Sequence, residues 1–409
     1  MSQKILSFFH TKRTRLIIIF TIPIALLLFV IFCSVITVVG QQFSALAYAF
    51  LHGHLNFLSS IGGKGQDPVI YHGRIYWDDG PFPSVVLLPF IATFDLFNRS
   101  FFQGYLQWAL ILGVLFFVYK LARKLAYSLE DSLLLGLGFV LASVFIGVAS
   151  ISSSWHFSQV LTTFLLLWSL YEFYTHKRWW LIGTICGFIF LTRATAAPII
   201  IFFGLEFIGL HKEQINKVKK LIILFAPLLV AIILQGMYNF IRFHYPLNGG
   251  YEYQLITPDS AEARSMGIFS LSHIPTNLYS MILRAPIPVL KDSVSWTLKY
   301  PYIKNNTYGM SIFFTSPYLL WIFTNKWSKF DKQTKHLIVA ILISALLVLS
   351  YYGIGLYAYG DRYTLDFMPE LFLLFMILYR KSHDRLTFGM RTLIIGSTIF
   401  NFYLLLSYI

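Results

Sequence analysis

Apolar runs recur from residue 16 to the end of this 409-residue chain, most of them closed by a short basic link. Several approach or exceed the roughly 17–25 residues that cover the hydrocarbon core of a bilayer, and no soluble globule could bury so many. Charged residues make up 12% of the chain, against roughly 25% in an ordinary soluble domain. The period-two alternation that a lipid-facing barrel requires is missing. The pattern predicts an all-α polytopic membrane protein, a single integral membrane domain with about eleven transmembrane helices.

A formal charge of +14 would suit a nucleic-acid partner, but Lys and Arg fall mostly in the links between apolar runs, where orientation in the bilayer accounts for them. No nucleic acid is expected. Cys33 and Cys186 both lie inside apolar runs and read as small core residues rather than a disulfide. Lys4, Lys12, Arg13 and Arg15 precede a first span, 16–39, that lacks a small-residue cleavage site, so the N-terminus is expected in the cytoplasm of a plasma-membrane protein.

The loop at 40–99 then falls outside. Within it, 41–58 has helical spacing and suits the membrane surface, and 83–97 reads as a juxtamembrane or re-entrant helix. Spans two to seven occupy 101–240, as 101–121, 133–150, 160–174, a short pair at 179–191 and 196–210, and 221–240. A second external loop covers 241–309. Spans eight to eleven fill 310–409, beginning with 310–324, 337–356 and 363–379.

Ionisable groups at membrane level are costly, so they default to functional candidates. The first loop gathers Asp67, Asp78 and Asp79. A carboxylate at a dry boundary can act as a general base, or can hold a divalent metal such as Mg or Mn beside a phosphate, with Asp67 and Asp78 the candidate ligands. Both could equally be solvated turns, since Asp67 precedes Pro68 and the Asp78–Asp79 pair precedes Gly80 and Pro81. Arg193, stranded between two apolar segments, suits a lipid phosphate or a snorkelling helix end. A third group, Arg242 with Tyr251 and Glu252, opens the second loop, and its charges could pair or meet substrate. Arg362 and Tyr363 form the fourth; Arg362 could hold phosphate or pair with Asp361, and Asp366, one turn deeper, needs a partner. Two glycosylation sequons, at Asn98 and Asn305, are short matches. Neither a nucleotide-binding loop nor a zinc-spaced His or Cys pair is present.

Several short pieces in order resemble a known group of enzymes. They are Asp67 with Tyr71-His-Gly-Arg-Ile-Tyr76 and Gly80-Pro-Phe-Pro83, then Leu191-Thr-Arg193, then Tyr238-Asn-Phe-Ile-Arg-Phe243 with Gly250-Tyr251. Asn277-Leu-Tyr279, Gly309-Met-Ser311 with Thr315-Ser-Pro317, and Arg362-Tyr363 with Pro369 complete the set. Together they resemble the GT-C superfamily of membrane glycosyltransferases, in particular the family 39 protein-mannosyltransferase and aminoarabinose-transferase group.

The resemblance implies a catalytic first external loop and a sugar donor on a polyprenyl phosphate. It also implies a glycan, lipid or protein acceptor, and inversion at the anomeric carbon. It makes Asp67 the base and Arg193 or Arg362 the group that stabilises the departing phosphate. It adds Arg74, Tyr76, Arg242, Tyr251, Glu252 and Tyr363 as substrate or lipid-phosphate contacts. Many family 39 members carry an acidic pair just after the first span, where this chain has Gln41-Gln42, which leaves Asp78 and Asp79 as rival bases. A surface-polysaccharide ligase or polymerase, or a lipid-linked sugar transporter or flippase, would share much of this pattern. A transporter would place buried charge in discontinuous mid-membrane spans, whereas here the charge sits at the boundary.

Overall fold

The computed structural model describes residues 12–58, 67–210, 214–292, 294, 296–326, 330–353 and 358–409. Four of its helices are long and apolar enough to cross a membrane by length and composition: α4 (Gly104–Lys124), the 221–243 part of α10 (Gln214–Phe243), α14 (Lys332–Ser350) and α16 (Phe388–Leu405). Between them come α1 (Lys12–Ile36), α2 (Gln42–Leu51), α3 (Phe82–Asp95), α5 (Leu129–Leu141), α6 (Phe145–Ser150), α7 (Ser154–Thr175), α8 (Trp179–Thr192) and α9 (Ile199–Leu210). Then follow α11 (Pro258–Ser265), α12 (Ile274–Ile282), α13 (Ile312–Thr315) and α15 (Met368–Ser382).

Several expected spans are not single helices. The 310–324 run breaks after α13, because Pro317 disfavours helical backbone at Ser316, and continues as a 3-10 segment, Pro317–Thr324. The 133–150 run divides between α5 and α6. There the Ser143 hydroxyl donates to Phe139 O (2.6 Å) and accepts from Phe145 N (3.1 Å), satisfying backbone groups that the break exposes. The 363–379 run opens as a 3-10 turn, Arg362–Asp366, before α15. Of the 337–356 run, α14 covers the part up to Ser350, and 354–357 lie outside the described residues.

The fold is also not purely helical. Two antiparallel hairpins stand in the long loops: β1 (Val69–Tyr71) with β2 (Arg74–Tyr76), and β3 (Ile287–Leu290) with β4 (Leu298–Lys304). Short β-branched and aromatic stretches in a loop pair locally, where the span-length apolar signal is silent.

The helices share one core that runs through α4–α9, α14 and α15, with Phe139, Phe145, Phe157, Phe173, Phe202 and Phe203 fully buried. Helix α10 packs closely on α8: a Cβ at Gly183 would stand 2.1 Å from Leu224 O. Much of the rest of α10 faces outward, from Leu229 to Ile241.

The polar links sort to two ends. One end holds the ion pairs Arg178–Glu172 (2.7 Å), Arg391–Asp131 (2.7 Å) and Lys381–Asp331 (2.7 Å). At the opposite end, the two long loops meet the 152–155, 193–196, 351–353 and 358–366 segments.

At that loop end, amides fasten α2 to the bundle. Gln103 accepts from Phe43 N (3.2 Å) and Ser154 Oγ (2.8 Å) and donates to Ser152 O (2.7 Å). Gln41 donates to Ser152 O (3.1 Å) and accepts from Gln103 N (2.8 Å). Gln42 is buried beside it. Gln41 therefore belongs to a neutral hydrogen-bonded joint.

Replacing Gln103 with Leu strips partners from buried groups, and each orphaned group costs about 1–3 kcal/mol. Gln103→Leu is expected to lower the unfolding temperature in detergent clearly, while an exposed control such as Arg99→Gln leaves it unchanged.

Candidate active site at the loop end

The first loop sets the site. Hairpin β1–β2 delivers Trp77, which is fully buried and packs edge-on against Phe43 (5.9 Å) and beside Trp155 (5.6 Å). With Trp77 anchored, the next two residues, Asp78 and Asp79, are held just ahead of α3, whose start is fixed by Pro81 and Pro83. Gly80 lets this turn lie on the end of α8: an added Cβ would fall 1.9 Å from Leu191 O. That contact brings the aspartates to Arg193.

Arg193 interrupts the chain between α8 and a 3-10 turn, Ala194–Ala196, in extended backbone. It grips Asp366 through two bonds, Nε to Oδ1 at 2.6 Å and Nη2 to Oδ2 at 3.0 Å, and Thr195 Oγ1 donates to the same carboxylate. Asp366 is fully buried. The partner that Asp366 requires is thus Arg193, and the phosphate role considered for Arg193 meets a guanidinium already engaged.

Arg362 stands differently. It is buried, donates from Nη1 to Gln159 Oε1 (3.3 Å) and lies 4.9 Å from the Tyr363 ring centre. It forms no ion pair among the described residues, and its Nε has no hydrogen-bond partner there. Tyr363 lies between the two arginines, 5.5 Å from the Arg193 guanidinium. Asp361, also buried, is pushed up to about 7 by burial, with Arg362 and Arg284 acting against the rise.

The three aspartates share one electrostatic neighbourhood. Burial raises Asp67 above its ordinary value, opposed by Arg264 and Arg362. Asp78 is raised further, by burial and then by the adjacent Asp79 charge. Asp79 is raised to about 6 by burial, with Arg193 and Arg362 pulling the other way. Its Oδ2 is buried and has no hydrogen-bond partner among the described residues, a cost that a bound hydroxyl would relieve. Asp67 sits in left-handed backbone at φ 48°, beside the second loop.

Other candidates have structural surroundings. Arg242 donates to Trp77 O and to Asn239 Oδ1 (2.8 Å) and stacks 3.7 Å from the Tyr238 ring centre, so it braces the backbone of the aspartate turn. Tyr76 packs in a small apolar cluster with Val69 and Phe243. Arg74 is exposed at the hairpin turn and joins no ion pair among the described residues. Glu252 is bound by Asn248 rather than by Arg242. Tyr251 faces the site, hydrogen-bonded to Tyr351, and burial raises its hydroxyl well above the ordinary value.

Asn305 of the second sequon is buried and donates to Ala358 O (3.0 Å), whereas Asn98 is exposed. Among the described residues no three His, Cys, Asp or Glu side chains are grouped to hold a metal ion. Sequence reasoning missed Gln159, Gln254 and Arg264. Gln159 carried a signal, an amide in an apolar run; the other two sit in an unremarkable polar loop.

No family model and no curated protein matches this chain. Two solved structures do. The apo crystal structure of the Archaeoglobus fulgidus oligosaccharyltransferase is 13% identical, with a TM-score of 0.43 over 94% of this chain and 55% of that one. Oligosaccharyltransferase AglB from the same organism, in complex with an inhibitory peptide and a dolichol-phosphate, is 13% identical with a TM-score of 0.41 and the same coverage. The chain spans about half the length of these proteins, 55% of each.

Two outcomes follow from this geometry. Arg193→Met leaves Asp366 buried without its ion-pair partner and is expected to cost about 3–5 kcal/mol, while Arg193→Met with Asp366→Leu recovers most of the loss in a thermal-melt cycle. Asp79, raised in the folded state, gives stability that is complete below its unfolded value and is lost as pH rises through about 6. Asp79→Asn should therefore match wild type at low pH and be the more stable protein at pH above 7, by on the order of 3 kcal/mol in denaturant or heat.

Proposed function

We propose that this chain is a glycosyltransferase of the GT-C kind, moving a sugar from a polyprenyl-phosphate carrier to an acceptor hydroxyl on the external face of the plasma membrane. The observation that carries the reading is the meeting of Asp79, whose buried Oδ2 has no partner among the described residues, with Arg362, a buried cation outside every ion pair described. A transfer of this class needs one group to take a proton and another to hold a phosphate. The apolar helices below the loops suit a lipid-linked donor.

Asp79 accepts the proton of the acceptor hydroxyl as its oxygen bonds to the anomeric carbon from the face opposite the phosphate. The bond from that carbon to the phosphate oxygen breaks, its electron pair leaves with the polyprenyl phosphate, and Arg362 meets the growing charge. Asp79 takes the base role that the resemblance gave to Asp67, because burial raises it to about 6 while Arg193 and Arg362 both act on its charge, and its buried Oδ2 has no partner among the described residues. The charges of Asp67 and Asp366 add to the rise at Asp79. Arg193 supports the site through Asp366, and Gln41 serves the joint to α2.

The test is sugar transfer from radiolabelled polyprenyl-phosphate sugars in membranes holding equal amounts of each protein. Asp79→Asn should lose about 100-fold or more, the usual scale for a general base. Arg362→Gln should fall comparably, and the wild-type rate should climb as pH passes about 6. Full activity in Asp79→Asn, or no transfer by wild type from any donor, would overturn the reading.

A further inference from the structure

We infer that Gln254 and Arg264, both from the second long loop, form a latch that fixes Asp78 beside the proposed base and does so only when that loop is seated on the first. The inference rests on the reading of the site given above. Gln254 Nε2 donates to Asp78 Oδ2 at 2.9 Å and to Asp67 O at 3.3 Å. Arg264, on α11, donates to Gln254 Oε1 and also to Tyr251 O and the Tyr352 hydroxyl. A guanidinium carries donors alone, so the amide oxygen must turn toward Arg264 and the amide nitrogen toward Asp78. The arginine thereby selects which end of Gln254 meets the carboxylate.

Backbone pairing makes the latch conditional on loop position. Gln254 bridges Val69 in antiparallel fashion and Leu255 N donates to Pro68 O (3.0 Å), so the 254–255 segment extends the β1–β2 hairpin. Arg264 also reaches the 351–352 segment, which is tied in turn to the second loop by Tyr352 N to Ile268 O (3.0 Å) and Ser270 N to Ser350 O (2.8 Å). Two separate segments, 251–254 and 351–352, meet on one guanidinium. Lifting the second loop would break the Gln254–Asp78 and Arg264–Tyr352 contacts together.

Asp78 is faced by Asp79 and Asp67 from its own loop, by Arg242 from α10, and by Tyr251, Tyr351 and Tyr352 from the other segments. Among these the Gln254 amide is a neutral donor, and a hydrogen bond to a carboxylate favours its charged form. Without it Asp78 keeps its proton to higher pH, and a neutral Asp78 does not oppose the ionisation of Asp79 beside it, so the onset of activity moves to lower pH while the positioning of the carboxylate is lost. Gln254 and Arg264 are positioning residues: neither is given contact with the reacting atoms.

The experiment compares wild type, Gln254→Leu, Arg264→Gln, Arg264→Lys and the Gln254→Leu/Arg264→Gln double variant. Each full chain is assayed in native membranes with a radiolabelled polyprenyl-phosphate sugar at several pH values. Both non-conservative single variants should shift the acid limb of kcat/KM downward, by up to about one pH unit, and lower kcat about tenfold at neutral pH, with the donor KM unchanged. Arg264→Lys should recover part of the rate, and the double variant should be no worse than the poorer single one, as expected for two members of one device. An equal loss at every pH, or additive losses, would overturn the latch.

A second readout needs no activity. Limited proteolysis of the 251–268 stretch in the same membranes should run faster in Gln254→Leu and Arg264→Gln than in wild type or Asp79→Asn. Equal cleavage in all four proteins would refute the latch whether or not transfer is detected. Silence of the wild type with every donor, combined with protection lost only in the two latch variants, would sustain the latch and overturn the transfer reading instead.

Discussion

The buried pair between Arg193 and Asp366 holds the loop end together. It joins the break after α8 to the turn that opens α15, two stretches far apart in sequence, and it lets a charged side chain sit fully buried among apolar helices. Taking two charges out of water is expensive, and the bidentate geometry with Thr195 as third donor is what repays it. Around that pair the other cations have distinct tasks. Arg242 braces the Trp77 backbone, Arg264 gathers the second loop, and Arg362 alone among these four has neither an ion pair nor a set of backbone carbonyls to hold.

Much of this arrangement follows from how an apolar frame treats polar atoms. Away from water every backbone break must be satisfied from within, and the chain does so with small hydroxyls and amides: Ser143 at the α5–α6 break, and Gln103, Gln41 and Ser154 where α2 meets the bundle. The carboxylates that remain are concentrated where the loops close over the helices. Their raised proton affinities share one origin, loss of water, modulated by which arginine each one faces.

The frame was legible in the sequence because membrane spanning is a length rule, and α4, α10, α14 and α16 obey it. The short pair around Arg193 and the helix near 83–97 could also be read from their apolar runs, whereas the helical spacing seen over 41–58 is realised only at Gln42–Leu51. The broken helices were harder: at Ser316-Pro317 the signal was present in a single proline, and at Ser143 it was absent. Within the site, the need of Asp366 for a partner was evident from its depth, but sequence alone could not say that Arg193 supplies it. Roles for Arg242, Tyr76 and Glu252 hung on contacts across hundreds of positions or on local loop geometry, such as Arg242 with Trp77, and no pattern in one sequence encodes those.

Gly80 and α10 mark opposite extremes of tolerance. On the outward side of α10, from Leu229 to Ile241, any apolar side chain of any shape would face lipid equally well, and descendants of this chain are free to drift there. At Gly80 the carbonyl of Leu191 occupies the space of a single methyl group, so even alanine would push the aspartate turn off the end of α8. Divergence along this chain should therefore be lopsided: lipid-facing sequence becomes unrecognisable early, while one residue with no side chain outlasts the charged residues it brings together.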